Sequence, residues 1–322
     1  MNKLKVISLF DGISCGRVAL ERAGFEVDKY IAYEIDKPAM FISNKNYPDI
    51  IQKGSVSNAD FSEYIGYDLL IGGSPCQGFS FAGNQLNFND NRSKLFFDFV
   101  RALNIIKPKY FILENVKMKK EYQDIISEYL GVQPIEINSS LVSAQNRKRL
   151  YWTNIPDVTL PIDKKIYLKD IIHEYNDDIN IEEYKISNEY TKKILDIEYK
   201  IGKIKCSNSI KNEYYIHNKN VDIDKYEEKN SYLFGCLTPN RLNKRQMGQR
   251  FNKGEKFYTL TTQDRHGILI NGYIRLLSPI ECERLQTLPD NYTEGISDTQ
   301  RYKSLGNGWT VDVITHILKN IK

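Results

Sequence analysis

A chain of 322 residues is longer than one ordinary hydrophobic core needs, so two unequal lobes are expected. With 41% hydrophobic and 27% charged residues it has the profile of a soluble globular protein, and nowhere do the roughly 18 apolar residues of a membrane span run together. The net charge of +4 permits nucleic-acid binding without arguing for it, so any basic footprint has to be local.

In chain order, residues 6–9 read as a buried strand running directly into Asp11 and Gly12. That apolar run is too short for a signal-peptide core, which points to a cytoplasmic protein. Residues 17–23 read as a helix closed by Gly24, and residues 30–33 as a second strand ending at Glu34. Residues 68–71 form a third, entering the Gly72-Gly73 turn. Residues 93–106 have the pattern of an amphipathic helix that stops before Pro108, and residues 110–113 that of a strand ending at Glu114 and Asn115. This alternation predicts an α/β fold, a mostly parallel sheet with helices on both faces. From about 158 to 270 the pattern degrades into short mixed runs between charged and Asn-rich segments, as in a second, smaller lobe. Periodicity returns in a helix over 311–318.

Ligands of such sheets gather at the C-terminal ends of the strands. Asp11, Glu34, Pro75, Cys76, Glu114 and Asn115 all fall at or just past such ends. The segment Phe10-Asp11-Gly12-Ile13-Ser14-Cys15-Gly16 lies between a strand and a helix, where glycines let backbone approach a ligand. It lacks the GxGxxG spacing of a dinucleotide site. Glu34 is placed to accept hydrogen bonds from ribose hydroxyls, which together with the loop suggests a nucleoside. By itself the loop reads equally well as a plain tight turn.

Cys76 follows Pro75 in the run Gly72-Gly73-Ser74-Pro75-Cys76-Gln77-Gly78, and a polar stretch over 83–92 follows. A lone cysteine is more often a small buried hydrophobe; a long polar loop after it is more in keeping with a lid over a reactive thiol. The other cysteines, Cys15, Cys206, Cys236 and Cys282, are scattered without CxxC pairs, and only four histidines accompany them, so no metal is expected. Gln145-Asn146-Arg147-Lys148-Arg149 leads into Leu150-Tyr151-Trp152, with the alternate arginines on one side of an extended segment. That is how phosphate or ring-oxygen ligands would be arranged, and also how a basic edge strand guards against aggregation.

Phe-Asp-Gly, Pro-Cys-Gln, Glu-Asn-Val, Gln-x-Arg-x-Arg and a late Gly-Asn-Gly occur in that order. Their succession resembles the ordered motifs of DNA cytosine-5 methyltransferases of bacterial and phage type. The likeness extends to residues 87–98 and 275–286. It implies a Rossmann-like, class I S-adenosylmethionine-dependent catalytic domain over 1–157, completed by 291–322, and a target-recognition lobe over 158–290. It makes Cys76 the nucleophile, Glu114 the group on cytosine N3, and Arg147 and Arg149 the pocket arginines. It assigns the cofactor to Phe10, Asp11, Gly12, Ile13, Gly16, Glu34, Ile35, Ser55, Val56, Pro75, Asn307 and Trp309. Double-stranded DNA is the implied partner of a monomeric enzyme in a bacterial cell, chromosomal or phage-encoded, with a restriction-modification setting in view. Gln77, Ser80, Gln85 and Arg92 are then placed to touch DNA.

Three departures from the family pattern bear on the cofactor. Ile35 stands where many members place an aromatic against adenine, Ser55 where many have an acidic residue, and Gly308-Trp309 where Ser-Val is more usual. A tRNA cytosine methyltransferase of the same family is the alternative, although that branch is usually trimmed in the second lobe. Sequence reading of DNA is expected within residues 238–267. Arg241, Arg245, Arg250 and Arg265 carry the guanidinium groups that make bidentate contacts with guanine, and Lys244 and Lys253 would neutralise phosphate.

Overall fold

The computed structural model describes residues 3–74, 94–173, 180–200, 205–206, 214–215, 233–243, 249–252, 254–270 and 273–322. Its first half builds β1 (Leu4–Leu9), α1 (Cys15–Arg22), β2 (Val27–Tyr33), α2 (Lys37–Asn46), β3 (Ile51–Gln52) and β4 (Leu69–Gly72). There follow α3 (Lys94–Ile106), β5 (Tyr110–Val116), α4 (Lys120–Leu130), β6 (Ile135–Asn138) and β7 (Lys148–Thr153). One sheet takes all seven strands in the order β3-β2-β1-β4-β5-β7-β6. It is parallel from β3 to β5, and β7 runs antiparallel to both of its neighbours. The chain winds outward from β1 on one side and from β4 on the other. The crevice between those two strands is therefore the topological switch point where such folds bind ligands.

Strand alternation divides the core. Val6, Leu69 and Ile71 face one side, packed with Val18 and Leu20 of α1. Ile7, Leu9 and Leu70 face the other, packed with Phe96, Phe99 and Ile106 of α3 and Ile126 of α4. Phe96, Phe99 and Ile106 are each at most 1% exposed, and such burial contributes about 1.5–3 kcal/mol per side chain. Helices thus cover both faces, as the alternation predicted. Strand β5 runs on to Val116, so Glu114 and Asn115 lie within it and not past its end. Pairing with β7 prolongs it, with Glu114 opposite Tyr151.

Beyond β7 come α5 (Asn188–Lys200), β8 (Lys205–Cys206), β9 (Tyr214–Tyr215), β10 (Leu233–Cys236), β11 (Gly267–Ile270) and β12 (Tyr273–Leu276). Strands β10, β11 and β12 form an antiparallel sheet with its own apolar cluster of Ile194, Leu195, Cys236, Phe251, Leu269 and Ile274. The chain closes with α6 (Pro279–Leu285), α7 (Asp298–Asn307) and α8 (Val311–Leu318). Ser278 starts α6 with a capping box: its hydroxyl accepts from the Glu281 amide at 3.2 Å, and the Glu281 carboxylate accepts from the Ser278 amide at 2.8 Å. Although α6 falls within residues 158–290, Cys282 and Leu285 pack into the principal core with Val311 and Ile314 of α8. Among the described residues no helix is long and apolar enough to cross a membrane.

Candidate active site

At the C-terminal end of β1 the backbone turns sharply, with Phe10, Gly12 and Ser14 all at φ 59°. Glu34, just past β2, holds this turn. One carboxylate oxygen accepts from the Gly12 amide at 2.8 Å, and the other from the Ile35 and Asp36 amides at 2.7 and 2.8 Å. Among the described residues no atom stands within 4 Å of where a Cβ would be at Gly12, so on that side they leave the loop open to a ligand. Asp11 points inward and accepts from Tyr30 Oη at 2.7 Å and from Ser14 Oγ, which also meets Ser43 Oγ at 2.6 Å. Burial pushes the Asp11 carboxyl up to about 6, against the hydrogen bonds that favour its charged form.

Ile13 is buried and its carbonyl accepts from Tyr292 Oη at 2.7 Å, so it anchors the loop through its backbone. Ile35 is 73% exposed on the rim. Ser55 is also exposed, while Val56 is buried beneath it and its carbonyl accepts from Arg101. Asn307 ends α7 and is exposed beside Gly308, whose absent Cβ would stand 3.4 Å from Cys15 Sγ and 3.6 Å from Ile13 Cδ1. The C-terminal motif therefore closes onto the loop after β1, at the opposite end of the chain. An open glycine flank, an exposed apolar rim, an anchored carboxylate and an exposed amide together fit a nucleoside with a polar tail.

The end of β4 and the middle of β5 supply a second group of residues. Asn115 Nδ2 donates to Ser74 Oγ at 3.2 Å, which ties β5 to the segment after β4. Glu114 is engaged at both oxygens: Arg149 Nε lies 3.0 Å from Oε1, and Trp309 Nε1 donates to Oε2 at 3.2 Å. Arg149 comes from β7. Arg147, expected beside it in the pocket, precedes β7 and is 3% exposed. Its guanidinium donates to the Leu260, Gly306 and Gly308 carbonyls at 3.1–3.2 Å, and so it fastens the C-terminal motif. Burial, then the neighbouring Arg149 charge, lowers Arg147 to about 9.

Sequence reasoning did not single out Gln286 for this site. It is fully buried, donates to Leu305 O at 2.6 Å and Gly308 O at 3.0 Å, and accepts from Thr310 Oγ1 at 2.9 Å. The only signal was its place at the end of the run over 275–286.

Pro75, Cys76, Gln77, Ser80, Gln85, Arg92, Lys244, Arg245 and Lys253 lie outside the described residues. Of the other arginines expected to meet DNA, Arg250 is corrected. It is 1% exposed, its Nε lies 2.9 Å from Glu198 Oε1, and its remaining donors are on the Leu237, Thr238, Arg241 and Leu242 carbonyls. A buried guanidinium so occupied cannot reach a base edge. Arg241 faces Asp264 at 3.6 Å, and Arg265 stacks over Tyr302 while donating to Thr299 Oγ1 at 2.6 Å. Among the described residues no three His, Cys, Asp or Glu side chains gather as metal ligands would.

The sequence profile of the C-5 cytosine-specific DNA methylase family matches residues 4–130 and 137–322. The orphan methyltransferase M.SPRI of Bacillus phage SPR is 28% identical, with 100% of this chain and 98% of that protein covered. The type II methyltransferase M1.ScrFI of Lactococcus lactis subsp. cremoris is 29% identical over 99% of this chain and 78% of its own. Among solved structures, the methyltransferase EhMeth of Entamoeba histolytica superposes with a TM-score of 0.67 at 19% identity, covering 99% of this chain and 98% of its own. That likeness is one of fold.

Proposed function

This chain belongs to the C-5 cytosine-specific DNA methylase family, and from that premise we propose that it transfers a methyl group to C5 of a cytosine flipped out of duplex DNA, by way of a covalent bond from Cys76 to C6. The observation that carries this reading is the fixed carboxylate of Glu114 beside Gly73, three residues before Cys76. The nearest atoms are close: a Cβ at Gly73 would stand 3.1 Å from Glu114 Oε2.

S-adenosylmethionine is the methyl donor the family implies, and it supplies an electrophilic methyl group on a sulfonium. Glu34 would accept from its ribose hydroxyls, the Phe10 to Gly16 loop and Asn307 would take its polar tail, and Ile35 and Val56 would border its adenine. Cytosine C5 is a poor nucleophile. Addition of the Cys76 thiolate to C6 breaks ring aromaticity and makes C5 enamine-like, able to take the methyl group. Glu114, carrying or sharing a proton with N3, offsets the charge that this addition places on the ring. Arg149 holds that carboxyl in position. A base then removes the C5 proton, the C6–sulfur bond breaks, and the thiolate leaves. The ring is out of reach inside a duplex, so the base is unstacked first, which costs a few kcal/mol. Residues 77–92 are assigned as the lid over it. The lobe built around β10, β11 and β12 is assigned to target recognition.

Incubation with labelled S-adenosylmethionine and either duplex DNA or tRNA tests the substrate, with label expected in DNA. DNA carrying 5-fluorocytosine cannot lose its C5 substituent and should remain attached to Cys76. Label in tRNA alone would overturn the DNA reading, and an adduct on another cysteine would overturn the mechanism.

A further inference from the structure

Trp309 joins two parts of the site that are 195 residues apart. Its indole N–H takes the Glu114 oxygen that Arg149 leaves, at 3.2 Å. Its six-membered ring reaches over Gly16, where a Cβ would be 3.6 Å from Cζ3. The backbone that carries it is pinned one residue earlier, since Gly308 O accepts from both Arg147 and Gln286. Gly73 completes the arrangement: a Cβ there would lie 2.9 Å from the indole nitrogen and 3.1 Å from Glu114 Oε2, crowding both ends of the hydrogen bond from one side. The missing side chain at 73 and the donor at 309 therefore serve one contact.

We propose that Trp309 is a positioning residue for Glu114, its indole N–H fixing the second carboxylate oxygen so that the carboxyl plane meets the cytosine ring. This rests on the assignment of Glu114 to the ring. The terminal torsion of a glutamate is broad, and a single partner at Oε1 leaves the carboxyl free to swing about it. A second donor on Oε2 removes that freedom before substrate arrives, which is where preorganised groups gain their effect. A phenylalanine at 309 keeps an aromatic ring beside Gly16 without supplying the donor. The indole nitrogen is thus the functional part of the side chain.

Two measurements test this. The chain has two tryptophans, and Trp152 donates its indole N–H to Ser127 Oγ at 2.9 Å in the core, away from Glu114. In ¹⁵N-labelled protein without cofactor, Trp309→Phe identifies the Trp309 indole resonance by removing it. Glu114→Ala should move that resonance upfield and leave the Trp152 resonance in place. An unmoved Trp309 resonance overturns the contact. The second measurement is a double-mutant cycle on the single-turnover methylation rate with duplex DNA. Trp309→Phe should slow the wild type about tenfold, equivalent to about 1.4 kcal/mol, and slow the Glu114→Ala protein less than about twofold. An equal loss in both backgrounds would show that Trp309 acts without Glu114 and sink the proposal. A full rate for Glu114→Ala alone would instead remove the role of Glu114 on which it rests. Gly73→Ala, which keeps both side chains but crowds the indole nitrogen at 2.9 Å, should shift the same resonance, and an unmoved one would count against the contact.

Discussion

Arg149 sits opposite Val116 in the antiparallel pairing of β7 with β5, two residues from the Tyr151 that faces Glu114. That offset puts both side chains on one face of the sheet, and Arg149 Nε meets Glu114 Oε1 at 3.0 Å with the two side chains 14% and 11% exposed. Arg149→Met keeps the length of the side chain and removes the charge. A lost charge-assisted hydrogen bond is worth about 1–3 kcal/mol, so the single-turnover rate should fall about 10- to 100-fold. S-adenosylmethionine affinity, measured by calorimetry, should change less than about twofold. A matching loss of cofactor affinity would mean that Arg149 supports the fold of the site and not its carboxylate.

Three of the thiols, Cys15, Cys236 and Cys282, are buried and poorly suited to attack. Burial pushes Cys15 up to about 12 and holds Cys236 and Cys282 above the ordinary thiol range, so none is a thiolate at neutral pH. Cys76→Ser is therefore expected to abolish both turnover and the adduct with 5-fluorocytosine DNA. Cys15→Ala should keep both. Peptide mapping of the trapped complex decides between them, and a Cys15 adduct would reverse the assignment.

Asp11 gives the loop after β1 a pH dependence of definite sign. Burial, the largest influence, raises its folded-state value from 3.8 to about 6, so the folded protein holds this proton more tightly than the unfolded chain does. The resulting stability is fully present below about pH 4 and is lost as the pH rises through about 6. Asp11→Asn keeps an acceptor for Tyr30 and removes the charge. Allowing for partial exposure, it should stabilise the cofactor-free protein by about 1–3 kcal/mol at pH 8 and by almost nothing at pH 4. Urea unfolding at the two pH values measures this. A difference that is the same at both would show that the carboxyl is not the titrating group.

Strands and helices with local periodicity were legible from the chain. The expected strand over 30–33 lies inside β2, α3 takes residues 94–106 of the helix expected over 93–106, and the helix over 311–318 is α8. Contacts between distant segments were not. Glu114 is a strand residue because β7 returns antiparallel beside it, and no local pattern in residues 110–113 announces that partner. Arg147 and Arg149 alternate in sequence as two ligands on one side would. The strand begins only at Lys148, and so Arg147 turns inward to carbonyls of residues 260, 306 and 308. The Trp309–Glu114 bond needed the whole fold. So did the burial of Arg250, since a run of Arg, Asn and Gln reads alike whether it meets DNA or fills a small core.

Arg250 offers the clearest separation between stability and recognition. Its guanidinium and the Glu198 carboxylate are 1% and 2% exposed, with Nε 2.9 Å from Oε1, and its other donors close the turn between Leu237 and Leu242. Removing one member of a buried pair leaves the other charge uncompensated, at a cost of about 3–5 kcal/mol, whereas replacing both with apolar groups can be neutral. Arg250→Met should therefore lower the unfolding free energy by about that amount, and adding Glu198→Leu should recover much of it. The set of sites methylated by the surviving folded protein, read by bisulfite sequencing, should be unchanged in both. Arg265 is the contrasting position. It lies partly exposed over Tyr302, so Arg265→Ala should leave stability within about 0.5 kcal/mol and either relax one position of the site or reduce the salt dependence of DNA binding. If instead Arg250→Met kept full stability and changed the methylated sequence, the guanidinium would have to leave its buried position to read a base, and the β10–β12 sheet would be remodelled on binding DNA.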